Sequence, residues 1–364
     1  MTPAALRAVL LAIAAFSSGC DLGPRDVAAS HGPPLQLLAS YPVDGQGTHA
    51  PFGSDVTCDD PTPDCAVPTN VTIELRFDRF LLPGGLNAAL SLYSGNPPAN
   101  GIPLQAEYDM IERVVVYRPL RQLQPNTLYT AQLVSSPSPG QGFWAFDGAP
   151  LGEGPVPLRI SFGTGNGPRT EPPPVMPPVD TCETMTHGPL DSCVNCHATP
   201  PSDAHSAPST RLPPMGLDLS SARGLFYTAI RQVAHQSETG NSATGQGLQS
   251  PVRFGVQMNI VDPGSPATSY LMYKLLRKPE NFAVSEDAAS CVTGYHFPVS
   301  SLDCQPPPED ERVRLREWFA LGDPMPKDDT STMGEPIPSA TTRENLVRIS
   351  AWIATGAICP EPPP

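Results

Sequence analysis

Val71-Thr72-Ile73-Glu74-Leu75-Arg76-Phe77 alternates apolar and polar residues with period two. Successive side chains of a strand point to opposite faces, so Val71, Ile73, Leu75 and Phe77 are expected together on one buried face. Comparable runs follow at residues 90–93, 104–108, 114–117, 128–134 and 158–162. Turn residues separate them: Pro83-Gly84-Gly85, Pro97-Pro98, Pro125-Asn126 and Asp147-Gly148. Short strands at this spacing, with no helical period among them, predict an all-β antiparallel sandwich over residues 35–165.

Within that stretch Leu123-Gln124-Pro125-Asn126-Thr127-Leu128-Tyr129 is a turn followed by a strand-borne tyrosine. It resembles the tyrosine corner of Ig-like folds, in which the phenol hydrogen-bonds back to the main chain. Residues 36–165 as a whole resemble the bacterial surface-type Ig-like domain. The likeness rests on Ser40-Tyr41-Pro42 in a first strand, the apolar strand from Ile73 to Phe80, and the closing Phe162-Gly163-Thr164-Gly165. It implies a spacer or adhesive module and carries over no catalytic residue. The acidic stretch from Cys58 to Cys65 stands as an insertion in that pattern.

The chemistry concentrates in Cys193-Val194-Asn195-Cys196-His197, a C-x-x-C-H motif of the kind that attaches c-type haem. Two thiols separated by two residues can each add to a vinyl group on one edge of a porphyrin, and the adjacent imidazole reaches the iron. The reading is therefore Cys193 and Cys196 as haem thioethers and His197 as proximal ligand, with one covalent haem c. C-x-x-C alone also serves zinc or thiol-redox chemistry. Zinc would call for a second pair of ligands at similar spacing, and the other cysteines are scattered singly or seven and more residues apart.

The context suits covalent haem. Arg7 precedes an apolar run over residues 8–16, and small residues lead to Cys20, so residues 1–19 are expected to be an export signal peptide. Ser17-Ser18-Gly19-Cys20 resembles a bacterial lipobox, which would make Cys20 the lipidated N-terminus; simple cleavage near Gly19, leaving a free cysteine, is the alternative. Residues 20–34 read as a tether. No later segment has the apolar length to span a bilayer, so membrane attachment is expected through the lipid only, at the cell envelope. Outside the cytoplasm disulfides persist. With Cys20, Cys193 and Cys196 set aside, the remaining cysteines form a natural set of pairs, Cys58–Cys65, Cys291–Cys304 and Cys182–Cys359, although six cysteines permit fifteen pairings. A formal net charge of −14 argues against nucleic acid and against a polybasic membrane contact.

The proline-rich residues 166–181 read as a semi-rigid linker, and residues 182–360 as a second, mainly α domain with long loops. Helices are expected within 219–234 and over 269–276, 312–321 and 344–355, the last with Thr341 and Glu344 as a capping box. Leu217-Asp218-Leu219, the stretch from Val261 to Gly264, Ser269-Tyr270-Leu271, Met325-Pro326 and Trp352-Ile353-Ala354-Thr355-Gly356-Ala357 follow the motif in order. Together these landmarks resemble the planctomycete-type cytochrome c domain, from which residues 278–308 depart as an apparent insertion. The resemblance implies a methionine opposite His197, either Met325, which matches the family's Met-Pro, or Met333, nearer the family's spacing to the final helix. Met215, His235, His296 or no sixth ligand remain open. A thioether in that position raises the reduction potential.

Two functions follow. In one, the chain is an exported monohaem electron-transfer lipoprotein, a non-enzymatic carrier with an unidentified redox partner protein. In the other, it is a structural or adhesive surface protein whose haem domain is vestigial, sensory or peroxidatic. Neither a distal acid-base constellation nor a Ser-His-Asp or paired-carboxylate pattern stands out.

Overall fold

The computed structural model describes residues 32–51, 53, 62–95, 101–135, 141–170, 180–194, 197–198, 216–234, 258–283, 294–297, 304–318, 320, 325–326, 329–330, 336–337 and 341–360. The export segment, Cys20, Cys58, Cys196, Met215, His235, Cys291 and Met333 lie outside them.

The alternating runs form strands. In chain order these are β1 (Leu37–Tyr41), β2 (Ile73–Phe77), β3 (Leu90–Ser94), β4 (Gly101–Ile102), β5 (Leu104–Asp109), β6 (Val114–Pro119), β7 (Leu128–Leu133) and β8 (Arg159–Gly163). They build two four-stranded antiparallel sheets, ordered β1-β2-β6-β5 and β4-β3-β7-β8. Register follows the pattern: Ile73 lies opposite Tyr117 and Leu75 opposite Val115, while Leu92 faces Ala131. Ile73, Leu75, Phe77, Tyr117, Leu92, Ala131, Ile160 and Phe162 are all buried in one apolar core.

Local chemistry fixes the ends. The Gln124 N–H donates to the Tyr129 hydroxyl at 2.8 Å, so the phenol bonds back five residues upstream, as a tyrosine corner requires. The glycine of Phe162-Gly163-Thr164-Gly165 has a steric reason, since a Cβ on Gly163 would collide with the Gly47 carbonyl.

The later chain supplies helices and long connections. The helices are α1 (Cys182–Thr186), α2 (Asp191–Val194), α3 (Ala222–Thr228), α4 (Tyr270–Leu276), α5 (Glu309–Trp318) and α6 (Arg343–Ala354), with a short antiparallel pair β9 (Asp329–Thr330) and β10 (Pro336–Ile337). One helix start differs from the expectation. Thr342, not Thr341, caps α6, accepting from the Asn345 N–H at 3.2 Å. Thr341 is buried and its own N–H is taken by Asn281 Oδ1, which draws it out of the capping role.

The strand-rich and helical parts share buried contacts. Arg79, just past β2, is 3% exposed and donates Nε to Glu311 of α5 at 2.9 Å and Nη2 to Asp147 at 2.5 Å. The second oxygen of Glu311 accepts from the Phe80 N–H at 3.0 Å, and the Phe80 ring meets Tyr273 of α4 edge-on. Burial pushes the Glu311 carboxyl above its ordinary range, and the Arg79 guanidinium pulls it back.

The polar positions of β2 break the simple alternation. Glu74 and Arg76 are as buried as their apolar neighbours. Residues 295–297 cover them: His296 bonds Glu74 through both its N–H and its Nδ1 at 2.8 Å, Phe297 lies under the Arg76 guanidinium, and Tyr295 donates to Asp109 at 2.7 Å.

Removing either anchor should register in chemical denaturation. Tyr129→Phe forfeits one buried hydrogen bond and is expected to cost about 1 kcal/mol. Arg79→Met takes the buried cation from Asp147 and leaves Glu311 the longer ion pair with Arg314 at 3.5 Å, and a loss of about 3–5 kcal/mol is expected, several times larger.

Candidate functional site

The C-x-x-C-H motif begins on α2, a single turn entered through Leu190, whose N–H donates to the Met185 carbonyl at 2.9 Å. Three residues after the helix, the His197 N–H donates to the Cys193 carbonyl at 2.9 Å. That is an i to i+4 main-chain bond, the spacing of a helical turn. Cys193 is buried and His197 half-buried. The His197 carbonyl accepts from the Leu219 N–H at 2.7 Å, tying the motif to the stretch before α3. Asp218 in that stretch is clasped by Thr228 of α3, whose hydroxyl accepts from the Asp218 N–H at 2.9 Å.

The ends of the helical part are joined. Cys182 and Cys359 form a disulfide across 177 residues, and the Cys182 N–H donates to the Ile358 carbonyl beside it. Thr181 and Thr184 close a capping box over the start of α1. Cys304 is disulfide-bonded, while its expected partner Cys291 lies outside the described residues. Cys65 is buried, and its expected partner Cys58 lies outside the described residues.

The Val261 to Gly264 landmark docks on the final helix through the Gly264 N–H and the Ile353 carbonyl, 2.7 Å apart. It then passes through Ser269, whose hydroxyl accepts from Asp262 N–H, into α4. Met325 is half-buried against the core, and its N–H donates to Lys274 of α4 at 3.3 Å. His296 stands elsewhere, on the outer face of β2, stacked 4.4 Å from Tyr41 and bonded to Glu74.

As a donor set these residues fit a haem. The donor types are those the group needs: a buried thiol, a half-buried imidazole four residues on, and a half-buried methionine whose main chain is tied to α4. Two residues escaped the reading of the sequence. Lys278 donates to the Pro326 carbonyl at 2.9 Å and Asn281 to the Met325 carbonyl at 3.0 Å, both from the stretch read as an insertion. Their signal was faint: a Lys-Pro-Glu-Asn turn directly after an apolar helix.

No family model matches the chain, and no curated protein matches it. Among solved structures, the N-terminal part of the bacterial S-layer protein SbsC aligns with a TM-score of 0.23 at 8% identity, covering 36% of this chain and 24% of that one. Domains 1–6 of the surface layer protein SbsC align with a TM-score of 0.23 at 9% identity, covering 44% and 16%. The chain thus spans a quarter or less of these proteins, and likeness at this level fixes neither fold nor function. No helix among the described residues is long and apolar enough to cross a membrane.

Peptide mapping without reduction is expected to recover Cys182 linked to Cys359, and a link from Cys182 to Cys291 or Cys304 would refute the pairing. Replacing both cysteines by serine should cost about 2–5 kcal/mol, read from the denaturation midpoint.

Proposed function

We propose that this chain is an exported, lipid-anchored monohaem c-type cytochrome that carries electrons for a partner protein. The observation that supports the reading best is the C-x-x-C-H motif itself, with the His197 N–H bonded to the carbonyl of the buried Cys193. The order of the later landmarks, resembling a planctomycete-type cytochrome c domain, supports it further. When bound, haem supplies a one-electron iron couple.

The chain's own residues do the rest. Cys193 and Cys196 would fasten the group, and His197 would present its imidazole from a main chain tied at both its N–H and its carbonyl. Met325 would offer a thioether ligand, which would favour the reduced state and so raise the potential.

The sandwich, in an Ig-like arrangement, acts as a brace in this reading. Phe80 packs on Tyr273, and the next residue along α4, Lys274, receives the Met325 N–H. The strand-rich part thereby stiffens the helix that bears the ligand segment.

The test is a pyridine-haemochrome spectrum of protein exported together with a haem-attachment system. A thioether-type spectrum at one haem per chain is expected, and it should vanish in Cys193→Ser/Cys196→Ser. A featureless visible spectrum of the wild-type protein would sink the proposal. Met325→Ala should keep covalent haem but lose the methionine-to-iron absorption band and lower the potential.

A further inference from the structure

Of the bonds that hold Met325-Pro326, the one to the Met325 carbonyl comes from a buried amide. Asn281, 0% exposed, donates Nδ2 to the Leu275 carbonyl at 2.8 Å and to the Met325 carbonyl at 3.0 Å. Its Oδ1 accepts from the Thr341 N–H at 3.0 Å. The Thr341 hydroxyl in turn reaches the Pro189 carbonyl at 3.5 Å, on the segment leading into the helix of Cys193. Burying an amide is costly unless its donors and acceptor are used, and here both donors and the acceptor are engaged. A single side chain thus joins the end of α4, the Met325 main chain and the entry to α6. Through Thr341 it also touches the segment that carries the thiol.

We propose that Asn281 is a positioning residue for the sixth haem ligand: its amide fixes where Met325 stands relative to the Cys193–His197 turn. The inference rests on the haem reading above. Main-chain donors from Met325 and the Lys278 ammonium assist, but neither of those bonds reaches Thr341. Among the described residues the Asn281 amide alone bonds both Met325 and Thr341, so its loss should free the ligand segment from the thiol-bearing side while leaving the covalent attachment intact.

The experiment uses the full haem-loaded protein and compares wild type with Asn281→Ser. Four quantities are read: covalent haem by pyridine haemochrome, the methionine-to-iron absorption band, the reduction potential, and the affinity of the ferric protein for added imidazole, which competes with Met325. Covalent haem should be unchanged in N281S. Imidazole should bind about tenfold or more tightly, as expected when a buried hydrogen bond no longer holds the competitor. The methionine band should weaken and the potential should fall. If N281S accumulates without haem, Asn281→Gln, which keeps the amide on a longer stem, carries the same readouts. Equal imidazole affinity and an unaltered band in a haem-loaded variant overturn this inference alone. A wild-type protein without covalent haem overturns it together with the reading on which it rests.

Discussion

A guanidinium buried between two carboxylates constrains this molecule. Taking each of Arg79, Asp147 and Glu311 out of water costs several kcal/mol, and only close pairing with well-directed hydrogen bonds offsets that cost. The partners come from different parts of the chain: Arg79 follows β2, Asp147 lies in the turn before β8, and Glu311 is in the first turn of α5. Separating sheets from helices would leave buried charges unmatched. The triad therefore fixes α5 against the end of β2, and the Phe80 N–H locks the second Glu311 oxygen in the same act. Phe80 then meets Tyr273, so α4 inherits its placement from the ion cluster.

The strands were legible because their determinants are local. Period two, with glycine and proline between runs, states which residues share a face and where the chain reverses, and β2, β3, β5, β6, β7 and β8 lie within a residue or two of their expected bounds. The tyrosine corner was legible for the same reason, its two groups being five residues apart. Glu74 and Arg76 show the limit. Alternation assigns them to the polar face of β2, but it cannot say what covers that face. The cover comes from His296, 222 residues later, and the polarity of Glu74 is what receives it. A covered carboxylate and a solvent-facing one look alike in a seven-residue window.

The same distinction divides the candidate site. Cys193 to His197 is a local pattern, and a helical turn is the local structure that its spacing suits. Met325 could be named from Met-Pro, but what holds it could not. Asn281 lies 44 residues earlier, in a stretch that departs from the family's order and so looked peripheral. The misplaced cap of α6 has one cause with this omission. Thr341 and Thr342 are equivalent in sequence, and it is the Asn281 side-chain Oδ1 that takes the Thr341 N–H and leaves Thr342 to cap.

Why a methionine segment should be anchored by polar groups rather than by apolar packing follows from the helix it rests on. Apolar burial is non-directional and would let a short loop settle in several ways, whereas hydrogen bonds specify an angle as well as a distance. The last carbonyls of an α-helix lack partners within the helix and must find donors outside it. In α4 the Lys274 carbonyl receives the Met325 N–H, and the Leu275 carbonyl receives the Asn281 amide, which also holds the Met325 carbonyl. Finishing the helix and placing the methionine are thus accomplished by one set of bonds. If the segment drifted, it would give up its bonds to the Lys274 carbonyl and to the buried Asn281 amide. A requirement of helix geometry, met here by distant residues, becomes the restraint on the side chain that would face the iron.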